Sequence, residues 1–255
     1  MFAYKKSTLR GNKHFWDSYL ESLTSRYDNF LEEHILTSEI YSIYMEDEHI
    51  GYFGVFNKEM LTQFFISKSA FKFVQQAFQE VLNVFEIQSA FVPTCDESFL
   101  SLCLDKHSKV HLQAYFFEEA EEKVREPEFP RDLMKVATLD DLQEIVAITG
   151  DFVDNHEQRI KDQQLYVLRE NNEFLGMGLI EDNVIMKNCQ ATGMFTNEKH
   201  RQKGIGRSII LNLKQICHEN GKTPLPGCWY YNENSKRTLE SSGYISKTRL
   251  LRIDF

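Results

Sequence analysis

No run of 18 apolar residues occurs in this 255-residue chain, and the amino-terminal MFAYKKSTLR leads into no apolar signal-peptide core. A spanning helix and an export leader are therefore not expected, and the reading is a soluble, cytoplasmic protein. Cysteine is sparse: Cys95, Cys103, Cys189, Cys217 and Cys228 are odd in number and contain no CxxC pair. Reduced thiols are expected rather than a disulfide framework, and no metal is expected. Long basic runs are missing too, and the net charge is −9. Nucleic acid and anionic membrane are thus not the expected partners, whereas cationic molecules are.

What charge there is lies unevenly. Residues 1–130 carry 12 Lys and Arg against 21 Asp and Glu, while residues 131–255 carry 17 against 17. Of 20 phenylalanines, 16 precede residue 131. Two regions of different composition meet near EEAEEKVREPEFPRD (118–132), a charged stretch with two prolines that reads as a poorly packed linker. The length suits two domains of roughly 125 residues, and the boundaries drawn are 1–125 and 131–255.

The halves share a pattern. QLYVLRENNEFLGMGLIEDNVI predicts strand (164–169), turn (170–172), strand (174–180), turn (181–183) and a third strand, and EIYSIYMEDEHIGYFGVFNKEML repeats it with turns at 46–48 and 57–59. At an offset of 125, Glu48, Ile50 and Gly51 fall on Glu173, Leu175 and Gly176. An amphipathic helix follows in each half, burying Phe71, Val74, Phe78, Val81 and Phe85 in the first and Ile205, Ile209, Leu213 and Ile216 in the second, the latter stopping at Asn220-Gly221. A strand (90–93; 228–231), a short helix and a last strand complete each half. The expected class is α/β: antiparallel hairpins joined to a strand-helix-strand crossover in a mixed sheet.

One segment breaks the symmetry. In the first half MLTQFFI runs through SKS into its helix without a glycine, whereas TNEKHRQKGIGR intervenes in the second. Glycines at a strand-to-helix junction let backbone N–H groups converge at the helix N-terminus, where unpaired donors and the positive dipole end favour an anion. Lys199, Arg201, Lys203 and Arg207 add cationic side chains. A Rossmann loop would need glycine at Ile209, and a P-loop would need GK[ST]; neither is present.

TNEKHRQKGIG, with Arg201, Gly204 and Gly206, resembles the acyl-CoA loop of the GCN5-related N-acetyltransferases (GNAT), Arg/Gln-x-x-Gly-x-Gly/Ala. NENSKRTLESSGY (232–244), with Asn232, Ser235, Gly243 and Tyr244, is similar to that family's Asn-x-x-Ser/Ala helix closing in Gly-Phe/Tyr. The resemblance implies two tandem acyl-CoA N-acyltransferase-like domains, the first degenerate and lacking the CoA loop. It implies acetyl-CoA as donor, its pyrophosphate on the amides of Gln202, Lys203, Gly204, Ile205, Gly206 and Arg207 near Arg201, and its pantetheine arm along Met194, Phe195 and Thr196 beside Asn232 and Ser235. Asn232 or Asn234 is equally a helix N-cap, and Gly193 is either a close-approach or a packing glycine.

The implied function is N-acetyl transfer to a primary amine of a small molecule or peptide, probed against one alternative, a non-catalytic acyl-CoA sensor. Two departures keep that alternative open: Leu239 stands where many members have a Tyr acid, and Gln190 where many have a Glu base. Candidates for the base are Glu181, Asp182, Tyr230 and Tyr231; no catalytic residue is assigned. The first half is expected either to wall the acceptor cleft or to serve stability alone.

Overall fold

The computed structural model describes residues 1–255 as two compact units, one of residues 1–116 with 248–255 and one of residues 117–247. In chain order the elements are β1 (Phe2–Ser7), α1 (Lys13–Ser22), α2 (Asn29–Leu36), β2 (Glu39–Met45), β3 (Glu48–Phe56), β4 (Met60–Ile66), α3 (Val74–Val84), β5 (Ser89–Pro93), α4 (Glu97–Lys106) and β6 (Lys109–Glu119). There follow β7 (Met134–Val136), α5 (Leu142–Thr149), α6 (His156–Lys161), β8 (Leu165–Glu170), β9 (Glu173–Asp182), β10 (Cys189–Thr196), α7 (Ile205–Glu219), β11 (Thr223–Trp229), α8 (Glu233–Ser241) and β12 (Tyr244–Asp254).

The first unit orders its sheet β1-β2-β3-β4-β5, antiparallel except for β4 with β5, and residues 250–254 of β12 pair antiparallel with the far edge of β5. Its β3–β4 hairpin turns through Asn57 and Lys58, both at positive φ, the twist that suits a tight two-residue hairpin. The core gathers Ile43, Phe53, Phe64, Val74, Phe78, Val81 and Phe99 with Leu251 and Ile253. The helix expected here is present, but Phe71 is exposed because residues 68–73 wind as a 3-10 turn ahead of α3. Without i→i+4 spacing, Phe71 leaves the stripe that Val74, Phe78 and Val81 keep.

Two helices of this unit start on buried carboxylates. Asp28 accepts from the amide of Leu31 at 3.2 Å, and Asp96 from that of Phe99 at 2.9 Å. Burial outweighs these bonds and pushes each carboxyl up to about 7. Unfolded, an aspartate titrates near ~3.9, so the native unit holds protons that the unfolded chain has released. The stability this confers is complete below the unfolded value and is lost as pH rises through the folded one. Urea unfolding of the first unit in sodium buffer is expected to show about 1–2 kcal/mol more stability per carboxyl at pH 5.5 than at pH 7.5. A flat profile would place both groups in contact with water.

The second unit repeats the order as β7-β8-β9-β10-β11, antiparallel except for β10 with β11. Asn171 and Asn172, both at positive φ, form the β8–β9 turn. α7 buries Ile205, Ile209, Leu213 and Ile216 as its spacing predicts, and Gly221 at φ +68° follows its C-cap Asn220. Three readings change. The third strand opens at Cys189, after a turn that runs past 183. β11 begins at Thr223, not 228, with Pro224 and Pro226 opposite Gln190 and Thr192; the two prolines, which cannot donate to a ladder, hide this part of the strand from a reading by pattern. The supposed linker packs: Phe129 donates its amide to Ser208 Oγ and accepts from Asn212 Nδ2, two buried polar groups on α7 that need partners. No helix is long and apolar enough to cross a membrane.

Candidate active site

In the second unit the parallel ladder between β10 and β11 ends at Thr192↔Pro226. Residues 193–196 continue on β9 alone, paired with Leu179 to Gly176, which leaves their other edge facing a cleft of about 1220 Å³. The strands part where α7 begins. Gln202 at φ +66° and Gly204 at φ +79° curl the loop so that it enters the helix from a left-handed N-cap. That places the free amides of the first turn at the cleft.

The backbone calls for glycine at one position and crowding for a small residue at another. A Cβ on Gly204 would lie 2.7 Å from the Glu128 carboxylate, on top of its positive φ. One on Gly206 would lie 2.9 Å from Met194 Sδ and 3.0 Å from Thr196 Oγ1, so its absence lets the helix close onto β10. Gly193 has only ordinary contact with Leu179 at 3.7 Å and needs no such explanation.

All twelve residues named from the loop and helix motifs line this one cleft: Met194, Phe195, Thr196, Arg201, Gln202, Lys203, Gly204, Ile205, Gly206, Arg207, Asn232 and Ser235. Arg125 and Arg237 join Arg201, Lys203 and Arg207, against a single carboxylate, Glu128. Within a chain of net charge −9 this concentration of cations selects an anion. Arg125 and Arg237 were not legible, since neither lies in the loop motif.

Arg207 plays a different part from its neighbours. Its guanidinium is buried and donates to the carbonyls of Arg125, Glu126 and Ser241 and to Glu128, 3.2 Å away. It therefore staples residues 125–128 to α7, and its backbone amide is what remains for a ligand. Burial works against the charge of Glu128, yet its own backbone amide and the Arg207 and Arg125 guanidiniums hold its carboxyl below the usual range.

Asn232 is the N-cap of α8, its Oδ1 accepting from the Ser235 amide at 3.0 Å. Replacing it by alanine should cost about 1 kcal/mol, seen as roughly 4 °C off the melting of the second unit, while Asn232→Asp keeps the cap. Equal melting of the alanine variant and wild type would show the cap to be idle.

None of the four base candidates lines the cleft. Glu181 pairs with Arg159 at 3.3 Å, Asp182 accepts from Gln190 Nε2 at 2.9 Å, and Tyr230 and Tyr231 lie in the turn after β11. Leu239 does line it, almost fully buried. Two exposed aromatics that sequence reasoning passed over, Phe152 and Trp229, stand at its walls, Trp229 with its ring 5.0 Å from that of Tyr231. No group of three or more His, Cys, Asp or Glu side chains is arranged to hold a metal.

Two family matches cover most of the chain: an acetyltransferase (GNAT) domain over residues 9–120 and another over residues 138–249. No curated protein matches the sequence. Among solved structures, a GNAT-family acetyltransferase from Colwellia psychrerythraea is 15% identical with a TM-score of 0.87, over 99% of this chain and 99% of its own. A GCN5-related N-acetyltransferase from Sphaerobacter thermophilus is 10% identical, TM-score 0.65, over 100% and 95%. A tandem GNAT protein from the clavulanic acid biosynthesis pathway is 8% identical, TM-score 0.60, over 100% and 98%. At such identities these likenesses are of fold, the acyl-CoA N-acyltransferase fold twice over. With an acetyltransferase domain matched in each half, the chain belongs to the GNAT family as a tandem acyltransferase.

Proposed function

We propose that the second unit transfers an acetyl group from acetyl-CoA to a primary amine. The observation that carries this reading is the parting of β10 from β11 beside a helix N-terminus ringed by cations, all in one cleft. The residues present fit the donor: a cradle that a Cβ on Gly204 or Gly206 would fill, amides for a pyrophosphate, and an unpaired strand edge at residues 193–196 for the two amides of a pantetheine arm. Arg201 and Lys203 supply charge at the cradle. Acetyl-CoA, when bound, supplies the acetyl group as a thioester. Unpaired amides of residues 193–196 are the donors available to a developing oxyanion.

The cleft lining carries no Asp, His or Tyr, and its one Glu is tied to arginines at the phosphate end. Proton removal from the amine thus falls to water, and the acceptor reacts as the fraction already neutral. The pH profile of kcat/KM is therefore expected to rise with unit slope toward the acceptor's own pKa, with no break near 7 from an enzyme base. A bell with an acid limb near 6–7 would assign a base that the cleft does not contain. The acidic balance of the chain favours acceptors that arrive as cations. The deciding experiment is turnover of acetyl-CoA over polyamines, aminoglycosides, amino acids and peptide N-termini with product masses read directly. Tight CoA binding with no product from any amine would favour the sensor.

A further inference from the structure

The pleat of β10 divides the cleft of the second unit into two faces. A Cβ on Gly206 of α7 would press on Met194 and Thr196, and Thr238 of α8 lies 3.5 Å from the same point, so these residues and both helices share one face. Gly193 and Phe195 alternate to the other. There a Cβ on Gly193 would meet the Phe152 ring at 3.9 Å, and the rings of Phe152 and Phe195 lie 5.5 Å apart. Thr192 pairs in parallel with Pro226, so the same alternation carries Gly227 and Trp229 of β11 to the Phe152 face.

The two faces differ in chemistry. Every charged side chain of the lining, Arg125, Glu128, Arg201, Lys203, Arg207 and Arg237, belongs to the loop into α7, to the segment that Arg207 staples to it, or to α8. Across β10 the lining is Phe152, Gly193, Phe195, Gly227 and Trp229, without a charge. Trp229 is 58% exposed and Phe152 39%, so the core takes up neither ring. Each is nevertheless braced, Phe152 by Phe195 and Trp229 by Tyr231, edge to face at 5.0 Å. Two held, part-exposed rings beside a floor of glycines suit a flat apolar body.

That arrangement discriminates among amines. An acceptor with a second ammonium would find no carboxylate on this face and five cations on the other, leaving a charge drawn from water without a partner. The carboxylate of an amino acid would find no cation on the aromatic face. An amine whose remaining body is one uncharged aromatic ring meets neither penalty. It covers Phe152 and Trp229, whose ring faces attract it while it is still an ammonium.

We propose that the acceptor is an arylalkylamine, a primary amine on a short chain ending in one uncharged aromatic ring, and that Phe152 and Trp229 set this specificity. This rests on acetyl transfer by the second unit. The neutral amine forms its C–N bond to the thioester carbonyl carbon as the C–S bond breaks, and the proton it sheds passes through water to the departing thiolate.

The test compares phenethylamine, 1,4-diaminobutane and phenylalanine at equal concentrations of the neutral amine. The kcat/KM for phenethylamine should exceed the others by at least about tenfold. Phe152→Ala and Trp229→Ala should each raise its KM by at least about fivefold, with CoA affinity in calorimetry unchanged within about twofold. Binding is read separately from turnover. With CoA bound, phenethylamine should quench the fluorescence of the wild type, and the quench should vanish in Trp229→Phe, whose remaining tryptophan is Trp16. Faster acetylation of diaminobutane or phenylalanine, or a Trp229→Ala variant that loses CoA instead of amine, would overturn the specificity and leave acetyl transfer standing. A quench with no product from any amine would overturn transfer, and the acceptor role with it, while the rings remain a ligand site.

Discussion

Calorimetry on the Gly206→Glu variant is expected to show affinity for CoA reduced at least tenfold, about 1.4 kcal/mol. Two causes act together. The added Cβ starts 2.9 Å from Met194 Sδ and 3.0 Å from Thr196 Oγ1, both cleft-lining, so the first turn of α7 must lift from β10 or push those side chains into the cleft proposed to take the donor. The carboxylate then stands among the amides proposed to hold the pyrophosphate. The fold itself should survive, because a negative charge in the first turn favours the helix dipole. Gly206→Ala separates the effects: it adds the contact without the charge and should lose only a few-fold. An independent readout is ligand-induced stabilisation, since acetyl-CoA at about a hundred times its dissociation constant adds roughly 2.7 kcal/mol to the wild type and should add far less to the variant. Unchanged affinity with an intact fold would remove the loop from the phosphate site.

Why the loop was legible and much around it was not comes down to the range of the interactions. The hairpins announce themselves through Asn57-Lys58 and Asn171-Asn172, the loop through Gly204 and Gly206, and the N-cap through Asn232, all contacts made within a few residues. Helices α1, α2, α5 and α6 were not read, because their apolar stripes are short or irregular: α1 buries only Phe15 and Tyr19. The role of Arg207 misled, as a basic residue in a basic loop suggests phosphate. Its guanidinium instead answers carbonyls 81 and 82 residues away. The last strand misled most: nothing in YISKTRLLRIDF says that its second half completes the sheet of the other unit.

That strand carries the second large effect. Removing residues 248–255 should unfold the first unit while leaving the second with its own transition. β5 would lose a partner over Leu250↔Pro93 to Asp254↔Ser89, along with the bonds from the Thr94 amide to the Arg249 carbonyl and from the Phe255 amide to the Gln88 carbonyl. Leu250 and Ile253 are fully buried and Leu251 nearly so, and the Phe255 ring meets Phe78 edge to face at 5.9 Å. At about 2–3 kcal/mol for each of the three aliphatic side chains, the loss of roughly 6–9 kcal/mol rivals the stability of a whole domain. The bared edge of β5 would invite aggregation besides. By the same reasoning an isolated 1–125 fragment should not fold, whereas residues 1–116 joined by a glycine-serine linker to 248–255 should. Circular dichroism and urea titration of the two fragments decide it, and a 1–125 fragment as stable as the linked one would show that the first unit does not need the strand it borrows.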